Sequence, residues 1–443
     1  MADELTDLTA IEAAELIAEG ELTSEAYVGA CLDRIAAMDG DVRAFVHLDP
    51  DAALAQAQAL DERQRDGGTL GPLHGIPVAI KDIFDTADYP TECGSAALKG
   101  RRPTEDATAV ARLRAAGAVI IGKTVTTECA STHPGPTRNP HDLTRTPGGS
   151  SSGSAAAVAA EMVPLAIGSQ TAGSVIRPAA FCGVYGVKPT HGTISRHGAL
   201  ILSRALDHVG TFARSLGDSA LLLEVLAGFD PRDPDTRAVA APNFLEMAAD
   251  ELAAPPRLAF VRTPVWDKAD VSTHAAFEAL ANELGGDIEE VALPDDFAAA
   301  WNDHRIVMAT DSAHNLGAMV ARGGEAGSSA ALRALMAEGG QTNALRYLAA
   351  RDNALRYRQG IADILSEFDA LITPATVGVA PVGEATGSPL FNALWSLAGV
   401  PAITLPLLTG DAGLPLGLQL VGAPGDDARL LRTANWLTER LTD

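Results

Sequence analysis

PGGSSSG (147–153) and GSQTAGS (168–174) are two loops rich in glycine and serine that follow each other closely in this sequence. Ser150 and Ser174, one in each loop, are 24 residues apart. A flexible linker has a similar composition, but the first loop leads straight into an alanine-rich segment, which predicts a helix over 154–166. Glycines at a helix entrance let the backbone approach a substrate closely. We therefore interpret both loops as parts of one site.

Helix and strand signals alternate on both sides of these loops. Upstream, PVAIKD (77–82) and AVIIGK (118–123) have the apolar pattern of buried strands, and a helix is predicted between them over 106–117. Downstream, a predicted strand over 413–422 precedes an amphipathic helix over 426–441. This alternation is typical of an α/β protein with parallel strands.

The N-terminal part is predicted to be helical. Thr9 and Glu12 form a capping box, and Gly20 suits the end of the helix that they begin. Helices are predicted over 9–19, 24–37 and 50–65. We predict one domain over 1–443, with a helical segment of about 1–65 packed on it.

The composition is that of a globular protein, and its charge argues against several classes of partner. Of 443 residues, 47% are apolar and 20% are charged, with a net charge of −24. Nucleic acids and anionic membranes attract basic surfaces, so neither is an expected partner. The chain shows no signal-like start and no apolar run long enough to span a membrane, which predicts a cytoplasmic location.

Neither cysteine nor histidine spacing indicates a metal site. The four cysteines fit no metal motif, and we interpret them as reduced, mostly buried thiols: Cys31, Cys93, Cys129 and Cys182. The histidines show no HExxH or similar pattern. We therefore predict neither a metal nor an organic cofactor.

Two familiar motifs match the sequence but not its local context. GAVIIGKT (117–124) fits the P-loop pattern, which needs a strand before the first glycine and a helix after the threonine. Here a helix is predicted before Gly117, and the four residues between the glycines favour a strand, so we reject a phosphate-binding loop. GSSSG (149–153) fits the nucleophile elbow of α/β-hydrolases, with Ser151 at its centre. No strand is predicted to enter this elbow, and downstream histidines such as His208 and His304 carry no local sign of a triad role.

Lys81 is a candidate for the catalytic base in place of a histidine. Amide hydrolysis needs a base for the attacking serine and donors for the oxyanion, and a lysine can be the base where burial keeps it neutral. Lys81 ends an apolar strand, although a salt bridge with Asp82 is the alternative interpretation. The small residues of TAGS (171–174) let successive N–H groups point one way. The residues alone favour a serine–lysine hydrolase over a Ser-His-Asp one.

Several segments resemble the amidase signature family in their order, their spacing and their residues. They are PLHGIPVAIKD (72–82), GKTVTTE (122–128), PGGSSSGSAAAVAA (147–160), GSQTAGSVIRPAAFCGVYGVKPT (168–190), FNALWSLAGVPAITLPL (391–407) and GLPLGLQLVG (413–422). The sequence VIRPAA (175–180) most resembles small bacterial amidases of the malonamidase type. The resemblance covers nearly the whole chain and implies a large mixed β-sheet with helices on both faces.

The resemblance also implies a Ser-Ser-Lys triad. The family's lysine falls on Lys81, its bridging serine, which follows a cis peptide, on Ser150, and its acylated serine on Ser174. Its oxyanion donors fall on the backbone of Thr171, Ala172, Gly173 and Ser174. The implied mechanism is acylation of Ser174, release of ammonia or an amine, and hydrolysis by water.

Three residues near Ser174 bear on the activity, the class of enzyme and the substrate. Ala172 stands where many members have glycine, a change that keeps the backbone donor. Gln170 stands where transamidating subunits commonly have aspartate, which speaks against that class. Arg177 lies in an otherwise apolar segment. It either forms a structural ion pair or grips the acidic end of a short substrate, such as the monoamide of a dicarboxylic acid.

We predict an enzyme that hydrolyses a small-molecule carboxylic amide to an acid and ammonia or an amine. The alternatives are a glutamine-hydrolysing subunit of an amidotransferase, an aryl or peptide amidase with a larger acyl pocket, and a catalytically silent scaffold. We expect the pocket walls around 300–400. The sequence leaves the oligomeric state open, although a homodimer is common for the resemblance.

Overall fold

The computed structural model describes residues 5–240 and 242–442, and its centre is one sheet of eleven strands. The strands are Phe45–Leu48 (β1), Pro77–Lys81 (β2), Val119–Thr124 (β3), Leu165–Gln170 (β4), Tyr185–Lys188 (β5), His208–Ala213 (β6), Leu258–Val261 (β7), Ile288–Val291 (β8), Ala370–Pro374 (β9), Ala402–Thr409 (β10) and Pro415–Val421 (β11). Their order across the sheet is β1-β3-β2-β4-β6-β5-β10-β11-β9-β7-β8.

The sheet is mixed. Strand β2 is parallel to β3 and β4, and β7 is parallel to β8 and β9. The other neighbouring strands pair antiparallel. The mixed sheet that the resemblance implies is therefore confirmed, and the parallel arrangement suggested by the helix–strand alternation holds only for part of it.

Fourteen α-helices lie within the described residues. They are Ala10–Glu19 (α1), Ser24–Val42 (α2), Pro50–Arg65 (α3), Thr108–Ala115 (α4), Ser152–Ala159 (α5), Ile176–Cys182 (α6), Leu216–Leu226 (α7), Phe244–Ala249 (α8), Val271–Leu284 (α9), Ala300–Gly327 (α10), Ala330–Gly340 (α11), Ala344–Ile364 (α12), Leu390–Leu397 (α13) and Asp427–Thr442 (α14).

The helices cover both faces of the sheet. Successive side chains of a strand point to opposite faces, and those of β9 enter different clusters of buried apolar residues: Ile372 belongs to one and Leu371 to the other. Leu431 of α14 packs into the first cluster, and Ile361 of α12 packs into the second. The apolar core thus has two layers, as the resemblance implies.

The predicted N-terminal helices are confirmed for the described residues. The Thr9 side chain accepts from the Glu12 N–H in a capping box, and Gly20 ends α1 with a φ of 79°. Two backbone N–H groups at the start of α1 donate to the Asp218 carboxylate of α7. Residues 1–4 lie outside the described residues, and the division into a single domain stays a prediction.

The helix predicted over 154–166 is wrong in its second half. Helix α5 ends at Ala159, Glu161 takes a φ of 59°, and the chain enters β4 at Leu165. Alanine favours helix throughout this stretch, and Pro164, which cannot continue a helix, is the signal for the break. The prediction therefore missed β4.

The rejection of the P-loop is confirmed. Helix α4 precedes Gly117, and the residues after it form β3. Gly117 has a φ of 89°, and a Cβ there would lie 2.9 Å from the His74 Cα. The glycine therefore serves a tight turn between a helix and a strand.

Candidate active site

Lys81 is the last residue of β2 and is fully buried. Strand β2 lies between β3 and β4, and all five of its residues are buried. Lys81 Nζ donates to Ser150 Oγ at 2.7 Å and to Ser169 Oγ at 2.8 Å. Asp82 instead forms an ion pair with Lys123 at 3.0 Å. The alternative of a Lys81–Asp82 salt bridge is therefore wrong.

The electrostatic environment of Lys81 makes it a potential base. Burial lowers the pKa of this ammonium group to about 7, although the negative charge of Asp207 opposes the shift. A desolvated ammonium is costly, because the low-dielectric interior disfavours its charge. A substantial fraction of Lys81 is thus neutral at neutral pH.

The loop of Ser150 is anchored at its backbone. The peptide bond between Gly149 and Ser150 is cis. The Ser150 carbonyl accepts from the Thr127 N–H at 3.1 Å, and the Gly149 carbonyl accepts from Arg177 Nη2 at 2.6 Å. Ser152 Oγ donates to the Gly148 carbonyl at 2.8 Å. These bonds hold Ser150 beside the Lys81 amine.

Ser174 lies in the turn between β4 and α6 and lines a concave pocket together with Thr171, Ala172 and Arg177. Gln170 Oε1 accepts from the N–H groups of Val175 and Ile176, which fixes the start of α6 just after Ser174. The hydrogen bonds between described residues include none from Ser174 Oγ to Ser150 or Lys81. The structure thus brings Lys81 and Ser150 together and places Ser174 on the pocket wall.

The pocket has a volume of about 340 Å³ and is largely apolar. Its walls come from the turns at 130–132 and 171–177, from helices α10 and α11, and from 386–389. The residues from the two helices and the last loop fall within the region of 300–400 where we expect the pocket walls, and the two turns lie outside it. The polar side chains in the wall are Ser131, Thr132, Thr171, Ser174, Arg177, His304, Arg305, Glu338 and Thr386.

Arg177 is buried in this wall, with 5% of its surface exposed. It donates to the carbonyls of Gly387, at 3.0 Å, and Gly149. No carboxylate of a described residue lies within ion-pair distance, and Nε has no partner among these residues. Burial lowers the pKa of Arg177 to about 10, so it stays a cation. The structural ion pair considered for it is therefore absent from the described part of the chain.

A family model described as Amidase matches residues 26–431. The chain belongs to the amidase signature family. It is similar to the A subunit of the glutamyl-tRNA(Gln) amidotransferase of Chloroflexus aurantiacus, with 38% identity over an alignment of 480 positions that covers 99% of this chain and 98% of the relative. The protein of the same name from Acidothermus cellulolyticus is 40% identical, with coverage of 96% and 92%.

Solved structures, a peptide amidase among them, have the same fold. The native peptide amidase of Stenotrophomonas maltophilia gives a TM-score of 0.84 at 33% identity, covering 98% of this chain and 97% of that one. A chain from a vestigial complex linked to the origins of an s-triazine catabolic enzyme gives 0.91 at 31%, covering 98% of both. The protein is thus an enzyme that hydrolyses amide C–N bonds, as predicted.

Sequence reasoning missed three polar residues near the catalytic candidates. Ser169 on β4 accepts from Lys81, His304 on α10 donates to the Thr171 carbonyl, and Ser396 on α13 donates to the Ala172 carbonyl. For Ser169, the missed strand hid the signal, because the residue lies near the end of β4, which pairs with β2. The other two come from distant helices and carry no local signal.

Histidine and metal chemistry find little support in the described residues. Ser151 Oγ, the centre of the elbow motif, donates to the Ser169 carbonyl and contacts no histidine. No group of histidine, cysteine, aspartate and glutamate within the described ranges could hold a metal ion. The four cysteines are buried and unpaired, as predicted. Every helix within 5–240 and 242–442 is too short or too polar to cross a bilayer.

Proposed function

We propose that the protein hydrolyses a small carboxylic amide through an acyl intermediate on Ser174, with Ser150 as proton relay and Lys81 as base. The observation that carries the proposal is the buried contact of Lys81 Nζ with Ser150 Oγ and Ser169 Oγ beside the Ser174 pocket. A neutral lysine has two N–H donors and one lone pair. In the neutral state an N–H still donates to Ser169 Oγ, while the lone pair can accept from the Ser150 hydroxyl, so the direction of the Lys81–Ser150 bond is the reverse of that in the ammonium state.

Each step of the proposed reaction conserves atoms and charge. Ser174 Oγ attacks the amide carbonyl while its proton passes to Ser150, whose own proton passes to Lys81. The backbone N–H groups of the 171–174 loop bind the oxyanion. The C–N bond then breaks as the nitrogen takes the proton back through the same relay. Water hydrolyses the acyl-serine, which releases the acid and restores Ser174.

The proposed substrate carries an anion, because Arg177 is an unpaired cation in the pocket wall. Burying an uncompensated charge is costly, and a bound carboxylate would offset that cost. The guanidinium uses one donor on each of two carbonyls and retains others for a bidentate contact. A short monoamide of a dicarboxylic acid fits these requirements and the pocket of about 340 Å³.

A second candidate is the glutamine-hydrolysing subunit of an amidotransferase, and the curated relatives favour it. The relatives described above are both named as the A subunit of a glutamyl-tRNA(Gln) amidotransferase. One feature favours an independent amidase instead, because the net charge of −24 is unfavourable for contact with tRNA.

The two candidates differ in whether the chain works alone. We expect the purified protein to release ammonia from a dicarboxylic monoamide without any partner, and Ser174→Ala to abolish this release. A fluorophosphonate should label Ser174, as mass spectrometry of the modified peptide would show. Ammonia release that occurs with glutamine as the only accepted substrate, and only after a partner protein is added, would favour the second candidate. A label on Ser151 would contradict the assignment of the nucleophile.

Four predictions accompany the proposal. The chemistry needs no metal or organic cofactor, because Lys81 supplies the base and backbone amides bind the oxyanion. A cytoplasmic location and a homodimer stay predictions, as does a single domain over 1–443.

A further inference from the structure

Two carbonyl groups in the loop of the proposed oxyanion donors are held by side chains from outside the loop. His304 Nε2 donates to the Thr171 carbonyl at 3.0 Å, and Ser396 Oγ donates to the Ala172 carbonyl at 2.7 Å. In a trans peptide, the C=O and the following N–H point in opposite directions. Each bond therefore fixes one peptide plane and the direction of the N–H that follows, which belongs to Ala172 or to Gly173.

His304 is a permanent hydrogen-bond donor. It is fully buried, and burial lowers its pKa to about 4, so the ring is neutral at neutral pH. A neutral imidazole has one N–H. Because a carbonyl can only accept, that proton is on Nε2 and points at Thr171. Nδ1 has no partner among the described residues. His304 is thus a fixed dipole and is not available as the base for a serine.

Ser396 belongs to a chain of hydrogen bonds that reaches both ends of the loop. Gln170 Nε2 donates to Ser396 Oγ at 3.0 Å, and Ser396 Oγ donates to the Ala172 carbonyl. Gln170 Oε1 accepts from Val175 N and Ile176 N at 2.9 and 3.0 Å. An aspartate at position 170 could accept these bonds, but an ionised carboxylate could not donate to Ser396. The amide at this position therefore has a geometric role.

The loop is also restrained elsewhere. The Thr171 hydroxyl donates to the buried carboxylate of Asp207 at 2.6 Å. A Cβ at Gly173 would collide with Asn392, so this position needs glycine. Hydrogen-bond donors that are fixed before the reaction need no reorganisation when charge develops on the substrate oxygen. Residues that fix the peptide planes of this loop can therefore affect the rate without contacting the substrate.

We propose that His304 and Ser396 are positioning residues, which hold the amides of Ala172 and Gly173 toward the oxyanion formed when Ser174 attacks. This inference rests on the proposed function, because it needs an acylation step at that loop. Ser396 does not line the pocket, and His304, which does, has its one N–H directed at the Thr171 carbonyl. Loss of either bond leaves substrate binding in place and weakens the binding of the tetrahedral state.

Substitution of His304 tests this inference. His304→Leu should lower kcat by about 10- to 100-fold, because the Thr171 carbonyl loses its donor and the Ala172 amide can rotate. KM should stay within about twofold of the original value. An aldehyde with the substrate's acyl group forms a tetrahedral adduct with the serine, and its affinity should fall by the same factor as kcat. The affinity for the product acid should not change.

Two variants separate positioning from packing. His304→Gln keeps an N–H near the position of Nε2, and it should recover most of kcat. The matched control is His274→Leu, since His274 Nε2 also contacts a backbone carbonyl, that of Trp266 at 3.1 Å, and stacks on the Trp266 ring outside the pocket. We expect this control to keep both kcat and KM.

Ser396→Ala provides an independent test if His304→Leu does not fold. It removes one hydroxyl. As in His304→Leu, kcat should fall while KM changes little, and the affinity for the aldehyde should fall while the affinity for the acid does not change. Folded His304→Leu or Ser396→Ala with unchanged kcat would overturn the inference, as would equal losses of aldehyde and acid affinity. A wild-type protein that hydrolyses no amide and takes no label at Ser174 would instead overturn the proposed function, together with this inference.

Discussion

Among the described residues, three lysines are fully buried, and their neighbours give them different roles. Lys123 has a carboxylate partner in Asp82 at 3.0 Å. Lys188 donates to the Val400 carbonyl, and burial lowers its pKa to about 7, as it does for Lys81. A lowered pKa therefore does not identify the base. Lys81 is distinguished by its contacts with two hydroxyl groups beside the pocket.

The pH dependence of activity tests Lys81 as the base. Only the neutral amine can accept a proton, so kcat/KM should rise with pH through a midpoint near 7 and be lost as pH falls below it. Lys81→Ala should lower kcat by about 10²- to 10⁴-fold and remove this limb. The measurement is ammonia release between about pH 5 and 10, a range set around that midpoint and the ordinary lysine value.

Lys188→Met is the matched control for the pH profile. Lys188 has the same lowered pKa but lies outside the pocket, so its loss should leave the limb in place. A limb near pH 7 that survives Lys81→Ala would contradict the assignment. In that case another group would be titrating, such as Asp207, whose pKa burial raises to about 6; the lowered pKa of His304, about 4, does not favour that histidine.

Helix α6 shows how one element connects the parts of the site. Its first turn follows Ser174, and its Arg177 reaches back to the Gly149 carbonyl beside Ser150 and across to the Gly387 carbonyl of the pocket wall. Arg177 thus links both serine loops to the pocket, whether or not it also binds substrate. Its two possible roles, in structure and in recognition, predict different outcomes on substitution.

Arg177→Ala should discriminate between paired substrates. If Arg177 binds a carboxylate, kcat/KM should fall selectively for a dicarboxylic monoamide, by about 1.5–3 kcal/mol, relative to a neutral amide of equal length. Arg177→Lys keeps the charge without the planar fork and should give an intermediate loss. The measurement is kcat/KM for both substrates, with thermal unfolding of each variant.

Arg196→Ala is the matched control for buried arginine. Arg196 is equally buried but pairs with Asp233 at 2.7 Å away from the pocket, so its loss should lower stability and leave the substrate preference intact. Equal losses for both substrates in Arg177→Ala, accompanied by a lower melting temperature, would show that Arg177 only supports the loops.

The same elements show which features the sequence can predict. Lys81 is predictable because an apolar run with a terminal lysine indicates a buried strand end. Strand β4 is not, because its alanine-rich approach favours helix and Pro164 alone marks the change. His304 and Ser396 are not predictable either. Their role depends on where α10 and α13 pack against the 171–174 loop, and this packing leaves no local pattern.

At the scale of the whole molecule, the sheet order assembles the site from distant segments. The parallel strands β2, β3 and β4 end at one edge, which gathers Lys81, Lys123 and Ser169. The charged groups at this edge are buried in pairs or against hydroxyls. Lys123 Nζ also donates to Thr91 Oγ1 at 2.7 Å and to the Pro90 carbonyl. The lysine of the false P-loop motif therefore has a structural role.

The Asp82–Lys123 pair predicts an asymmetry between single and double substitutions. Burial raises the pKa of Asp82 and lowers the pKa of Lys123, so desolvation opposes the charge on both groups. Lys123→Met should lower the free energy of unfolding by about 3–5 kcal/mol, because it leaves the carboxylate without a cation. Asp82→Leu combined with Lys123→Met should regain most of this loss, because two apolar side chains carry no desolvation cost.

Urea unfolding of the single and double variants checks this prediction, and pH gives a second check on its sign. In Lys123→Met, the folded-state pKa of Asp82 should rise further above its unfolded value, so the folded state binds more protons than the unfolded state. Stability relative to the wild type should then fall as pH rises through the ordinary aspartate range toward neutrality. The double variant has no such carboxyl group, so its stability should show no additional dependence on pH from this site. Losses that simply add in the double variant would mean that the two side chains stabilise the sheet edge independently, through packing rather than through charge.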